Sequence, residues 1–242
     1  MYYSKELMEK QSSTMFPSRL IEDYFTLDEF EKIKHTAYYL EEINQPVEHS
    51  GQAYTKFDYY ESDLHNILSK KIQTLIGDHF VYLATIADTK GNPVLVHTDH
   101  NLADVRVDSV PYATICIPLD VIGKDNHWGT ASTITFNQWY FPEQDWEYRR
   151  HIFTDFLKPN TLKNAVGFKK NLEITKEFYN KYLSQHSSHD FFEGMSVERI
   201  SEWKKQSIML WHQCRFHCSD NYGNADTVNK KSIILWTTKD CR

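Results

Sequence analysis

FVYLATIADTKGNPVLVHTDH, residues 80–100, sets two short runs of β-branched and aromatic residues, Phe80 to Ile86 and Val94 to Thr98, on either side of the turn formers Lys90-Gly91-Asn92-Pro93. Short runs of that composition bounded by Gly and Pro are strands. Similar runs recur downstream at Tyr112 to Leu119, Ser132 to Phe136, Ser207 to Trp211 and Ser232 to Thr238, with another turn at Gly123-Lys124-Asp125-Asn126. From residue 78 onward the chain is sheet-forming.

Upstream the periodicity is helical. Thr26 followed by Glu29 makes a capping box, and Phe25 with Phe30 makes a hydrophobic staple. Leu27, Phe30, Ile33, Ala37 and Leu40 then mark one apolar face. A second helix is expected from about Ser62 to Ile76, with Leu64, Ile67, Leu68, Ile72 and Leu75 inward and Gly77 as its stop. Helices first and then many short strands, without βαβ alternation, point to an antiparallel sandwich or jelly roll. One domain is expected over 1–242: helical support at 1–77, a β core at 78–138 and 195–238, and an insertion at 139–194 that acts as lid or buttress. The insertion holds one helical pattern in Leu172, Ile174, Phe178, Tyr182 and Leu183.

The bulk numbers narrow the function. A net charge of −6 without a basic stripe disfavours generic binding to a nucleic-acid backbone. The cysteines Cys116, Cys214, Cys218 and Cys241 are too sparse for a secreted disulfide scaffold, and the first residues carry no apolar leader, so a cytoplasmic setting is expected. No apolar run is long enough to span a bilayer.

Three local patterns carry chemistry. In Val96-His97-Thr98-Asp99-His100, side-chain alternation along a strand puts His97 and Asp99 on one face, where an imidazole and a carboxylate reach one metal ion. Far downstream, Phe216-His217-Cys218-Ser219-Asp220-Asn221 offers a third ligand; His217 is preferred to His212 because a polar run follows it as though a turn begins there. Lys230-Lys231-Ser232-Ile233-Ile234-Leu235-Trp236 opens an apolar strand with positive charge, which is costly to bury unless an anion compensates it. Lys230 and Ser232 share a face.

Taken in order, His97-x-Asp99, a distant His217 and a basic strand start resemble the iron(II)/2-oxoglutarate dioxygenases, in particular their phytanoyl-CoA hydroxylase-like and prolyl hydroxylase-like branches. Tyr112 to Leu119 and Thr133 to Asn137 resemble the core strands that follow the first motif, so the resemblance spans roughly residues 78–238 without the insertion. It implies a mainly β, cupin-like double-stranded β-helix with flanking helices. It also implies Fe(II) held by His97, Asp99 and His217, and 2-oxoglutarate held by Lys230 with Ser232, or by Lys231. The activity implied is oxidation by O₂, by default hydroxylation, of a small-molecule or amino-acid-like substrate with release of succinate and CO₂. Asp99 matters to the reaction type, since halogenases of this family lack that carboxylate. Two rival readings are a structural zinc site built from His212, Cys214, His217 and Cys218, and a jelly-roll binding protein without catalysis.

Overall fold

The computed structural model describes residue 10 and residues 13–49, 52–99, 109–125, 127–139, 174–186, 188–192, 195–222 and 227–240. Two antiparallel sheets face each other. The larger has seven strands in the order β1-β8-β5-β10-β4-β3-β2: β1 (Arg19–Ile21), β2 (Val47–His49), β3 (Gln52–Lys56), β4 (Phe80–Lys90), β5 (Ser109–Gly123), β8 (Ile208–His212) and β10 (Thr227–Asp240). The smaller has three, in the order β7-β6-β9: β6 (Ser132–Trp139), β7 (Val197–Glu202) and β9 (Arg215–Ser219). This is the jelly roll expected from the sequence, with three α-helices around it among the described residues.

Alternation along the strands makes the layers. Ile115, Ile117, Ile233, Leu235, Ala84 and Ile86 point to the outer face of the large sheet. There they pack against α1 (Leu27–Ile43) and α2 (Asp63–Ile76) through Phe30, Ile33, Ala37, Leu64, Leu68 and Ile72. The capping box of α1 forms as read: Thr26 Oγ1 accepts from the Glu29 amide at 3.2 Å, and Glu29 Oε2 accepts from the Thr26 amide at 2.9 Å. Gly77 ends α2 at φ 71°, a backbone conformation that costs a Cβ-bearing residue more than glycine. Leu27 departs from the expected face; as the first residue of α1 it is 63% exposed.

Several strands differ from their sequence reading. The run Val94 to Thr98 does not make a strand of its own and is tied to β9 by an isolated bridge at His97. The strands β1, β2, β3, β7 and β9 were not foreseen, while β4, β5 and β6 run longer than their apolar cores. Of the insertion, residues 140–173, 187 and 193–194, Leu172 among them, lie outside the described residues. Its remainder includes α3 (Lys176–Tyr182), whose neighbours Ile174, Leu183, Phe191 and Phe192 are buried against Ile134, Phe136 and Phe216 of the small sheet. The described part of the insertion thus packs on the small sheet. Among the described residues, no helix is long and apolar enough to cross a membrane.

Candidate metal centre

After β4 the chain turns at Gly91 and runs alongside β9. The His97 amide donates to the His217 carbonyl at 3.0 Å, and the His217 amide donates back at 2.9 Å. This reciprocal pair sets the two imidazoles side by side, with ring centroids 4.2 Å apart. Two residues on, the Asp99 amide donates to the Gln213 carbonyl at 3.0 Å, which brings the Asp99 carboxylate to the same face. Ligand atoms of His97, Asp99 and His217 all lie within 4.8 Å of one another, and this is the only such grouping of His, Cys, Asp and Glu among the described residues.

The side chains are aimed from behind. His97 Nδ1 donates to the Leu95 carbonyl at 2.7 Å, and His217 Nδ1 donates to the Arg215 carbonyl at 3.1 Å. A carbonyl only accepts, so each neutral imidazole keeps its lone pair on Nε2. Both Nε2 atoms face Asp99, His97 at 3.5 Å from Oδ1 and His217 at 3.2 Å from Oδ2. Oδ2 also accepts from Thr114 Oγ1 at 2.8 Å and from Trp211 Nε1 at 2.9 Å, and the Trp211 ring lies 4.7 Å from that of His217.

The electrostatics follow from this packing. Burial alone would raise the Asp99 carboxyl, but His217, His97 and Thr114 outweigh it and hold the group well below the usual carboxylate range. Burial pushes His217 down to about 4, so its imidazole is neutral near pH 7. Burial also works against a charged His97, but its contact with Asp99 is stronger and raises its pKa. Two imidazoles and one carboxylate with inward lone pairs form a facial donor set suited to a divalent transition metal, with positions left open for other ligands.

His212 sits elsewhere. It is fully buried, pairs with Thr14 Oγ1 at 3.1 Å through Nε2, and accepts the Cys214 amide at 3.2 Å through Nδ1. The sequence prefers His217 for the polar run after it, as though a turn begins there; the turn falls instead at residues 213–214, and His217 occupies the middle of β9, where it lies with His97 and Asp99. Cys214 and Cys218 join no metal-like cluster with His212 or His217, which corrects the zinc reading.

One cavity is lined by the triad together with Tyr54, Thr89, Cys116, Thr133, Ser232, Trp236 and Lys230. Lys230 is 4% exposed and makes no ion pair among the described residues; its Nζ donates to Ser219 Oγ at 2.5 Å. Burial lowers its pKa, partly opposed by Asp220. Lys231 points to the opposite face of β10, where it pairs with Glu41 at 2.6 Å and Asp88 at 3.4 Å. The structure thus brings Lys230 and Ser232 into the cavity with the triad and takes Lys231 away from it. Thr114, Trp211, Trp203 and Ser219 belong to the site without having been singled out. The one available signal was chemical: a buried indole N–H needs an acceptor.

No protein-family model matches the chain, and no curated protein matches it in sequence. Solved structures do. The non-heme α-ketoglutarate-dependent epimerase SnoN of nogalamycin biosynthesis aligns over 98% of this chain and 84% of its own at TM-score 0.54 and 10% identity. The carbocyclase SnoK of the same biosynthesis aligns over the same shares at TM-score 0.51 and 11% identity. A prolyl-4-hydroxylase from Pseudomonas putida aligns over 94% of both chains at TM-score 0.50 and 6% identity. The chain therefore has the double-stranded β-helix fold of the iron(II)/2-oxoglutarate-dependent oxygenases, with the His-x-Asp…His triad in place.

Proposed function

We propose that the protein is an iron(II)- and 2-oxoglutarate-dependent dioxygenase that hydroxylates a small-molecule or amino-acid-like substrate, with release of succinate and CO₂. The observation that carries this reading is a cavity lined both by the His97, Asp99, His217 donor set and by a buried lysine that makes no ion pair among the described residues. A buried ammonium calls for an anion, and a dicarboxylate whose other end chelates the metal supplies one. His97, Asp99 and His217 would hold the iron, and Lys230 with Ser232 would receive the distal carboxylate. When bound, iron and cosubstrate supply the O₂ activation that no amino-acid side chain provides.

The chain's own residues orient and exclude. Leu95, Arg215, Thr114 and Trp211 fix the ligand atoms through the hydrogen bonds above, and the apolar walls from Ile234 and Trp236 keep water from the reacting centre. The retained Asp99 favours hydroxylation over halogenation.

The test is O₂-dependent conversion of 2-oxoglutarate to succinate by protein loaded with Fe(II). Slow succinate formation without added substrate, lost in Asp99→Ala and His217→Ala, is expected. Equal rates in wild type and both variants would remove the basis for the assignment.

A further inference from the structure

Besides the Ser219 hydroxyl, two aromatic rings hold Lys230. Its Nζ lies 4.5 Å from the centroid of the Trp203 ring and 5.5 Å from that of Tyr222. Trp203 is itself fixed: its Nε1 donates to Thr133 Oγ1 at 2.9 Å, its amide donates to the Ala131 carbonyl at 2.7 Å, and its carbonyl accepts from Trp128 Nε1 at 3.3 Å. With its one N–H committed to Thr133, the indole has only its ring face to offer the cavity. An ammonium withdrawn from water needs compensation for lost hydration, and a tryptophan face supplies it where no carboxylate is paired to it. A paired carboxylate would neutralise the lysine and compete with an incoming anion. An aromatic face does neither.

We propose that Trp203 is a positioning residue for the cosubstrate: its ring, helped by Tyr222, holds the Lys230 ammonium charged and directed into the cavity, so that the pocket selects 2-oxo acids bearing a second carboxylate. This rests on the proposed 2-oxoglutarate dependence.

The experiment is anaerobic calorimetric titration of the Mn(II)-loaded full chain with 2-oxoglutarate and with 2-oxobutyrate, which chelates alike but has no distal carboxylate. In Trp203→Leu the dissociation constant for 2-oxoglutarate should rise about thirtyfold, from the size of a desolvated cation–π contact. The constants for 2-oxobutyrate and for Mn(II) should not change. Trp203→Phe, which keeps a ring face while losing the Thr133 bond, should stay within about threefold of wild type. Tyr222→Leu reads the weaker half of the contact if Trp203→Leu does not fold, and there a rise of about threefold for 2-oxoglutarate alone is expected. Equal weakening of both oxo acids, or no weakening of either, overturns the role of Trp203. Failure of the wild type to bind 2-oxoglutarate at all overturns instead the reading beneath it.

Discussion

Replacing Trp211 with Phe removes a single hydrogen bond from the candidate ligand set. The ring that packs 4.7 Å from His217 remains, while the Nε1 donor 2.9 Å from Asp99 Oδ2 is lost. Asp99 is buried and charged, so the bond is charge-assisted, and such bonds contribute about 1.5–3 kcal/mol. That corresponds to a loss of roughly ten- to a hundredfold in metal affinity, the range expected when a partner behind a metal ligand is removed. Thr114→Val, which deletes the other donor at 2.8 Å, should lose a comparable amount. Because both act on one oxygen, the double variant should lose more than the summed effects, since either donor alone partly orients the carboxylate. The assay is anaerobic Mn(II) titration followed by electron paramagnetic resonance, with circular dichroism to confirm the fold. Wild-type affinity in both single variants, alongside its loss in Asp99→Ala, would refute the argument that these donors orient the ligand.

Other expectations separate the neighbouring residues. Lys230→Ala should weaken 2-oxoglutarate binding, whereas Lys231→Ala, which breaks partly buried pairs with Glu41 and Asp88, should lower the urea midpoint by about 1 kcal/mol equivalent and leave cosubstrate affinity alone; the reverse pattern would exchange their roles. His212→Ala removes a fully buried ring with two hydrogen bonds and should cost about 2–4 kcal/mol of stability with metal affinity retained; weakened metal binding in the folded variant would speak against His217 as the ligand. Metal affinity should fall with pH. Asp99 outweighs burial and raises the pKa of His97 above its ordinary 6.5, so His97 keeps a proton to higher pH than a free imidazole, and the metal must displace it. Below that raised pKa, Mn(II) affinity should drop about tenfold per pH unit, and equal affinities at pH 6 and pH 8 would contradict this.

Much of the site was legible because its signals are local. The alternation in His97-Thr98-Asp99 put both groups on one face, and Lys230-Lys231-Ser232 separated into cavity and exterior residues by the same rule. The helices were legible because capping and an apolar stripe are written into contiguous sequence. What failed depends on contacts between distant strands. Trp211, Thr114 and Asp99 meet only once β5 and β8 lie side by side, and the Trp203 contact with Lys230 joins the end of β7 to β10. Val47 to His49 and Val197 to Glu202 carry charged residues and little apolar alternation, since β2 and β7 lie at sheet edges, so they gave no strand signal. Val94 to Thr98 misled in the other direction: it is apolar enough for a strand but finds partners only through Val94 and His97 on β9.

The central claim is that His97, Asp99 and His217 hold iron in a cavity that also takes 2-oxoglutarate. Anaerobic addition of Fe(II) and then 2-oxoglutarate, followed by visible absorption, tests it most directly. A weak charge-transfer band that needs both additions is expected in the wild type and should be absent in Asp99→Ala. No band, with Fe(II) failing to bind, would contradict it and leave a jelly-roll protein whose cavity serves another ligand.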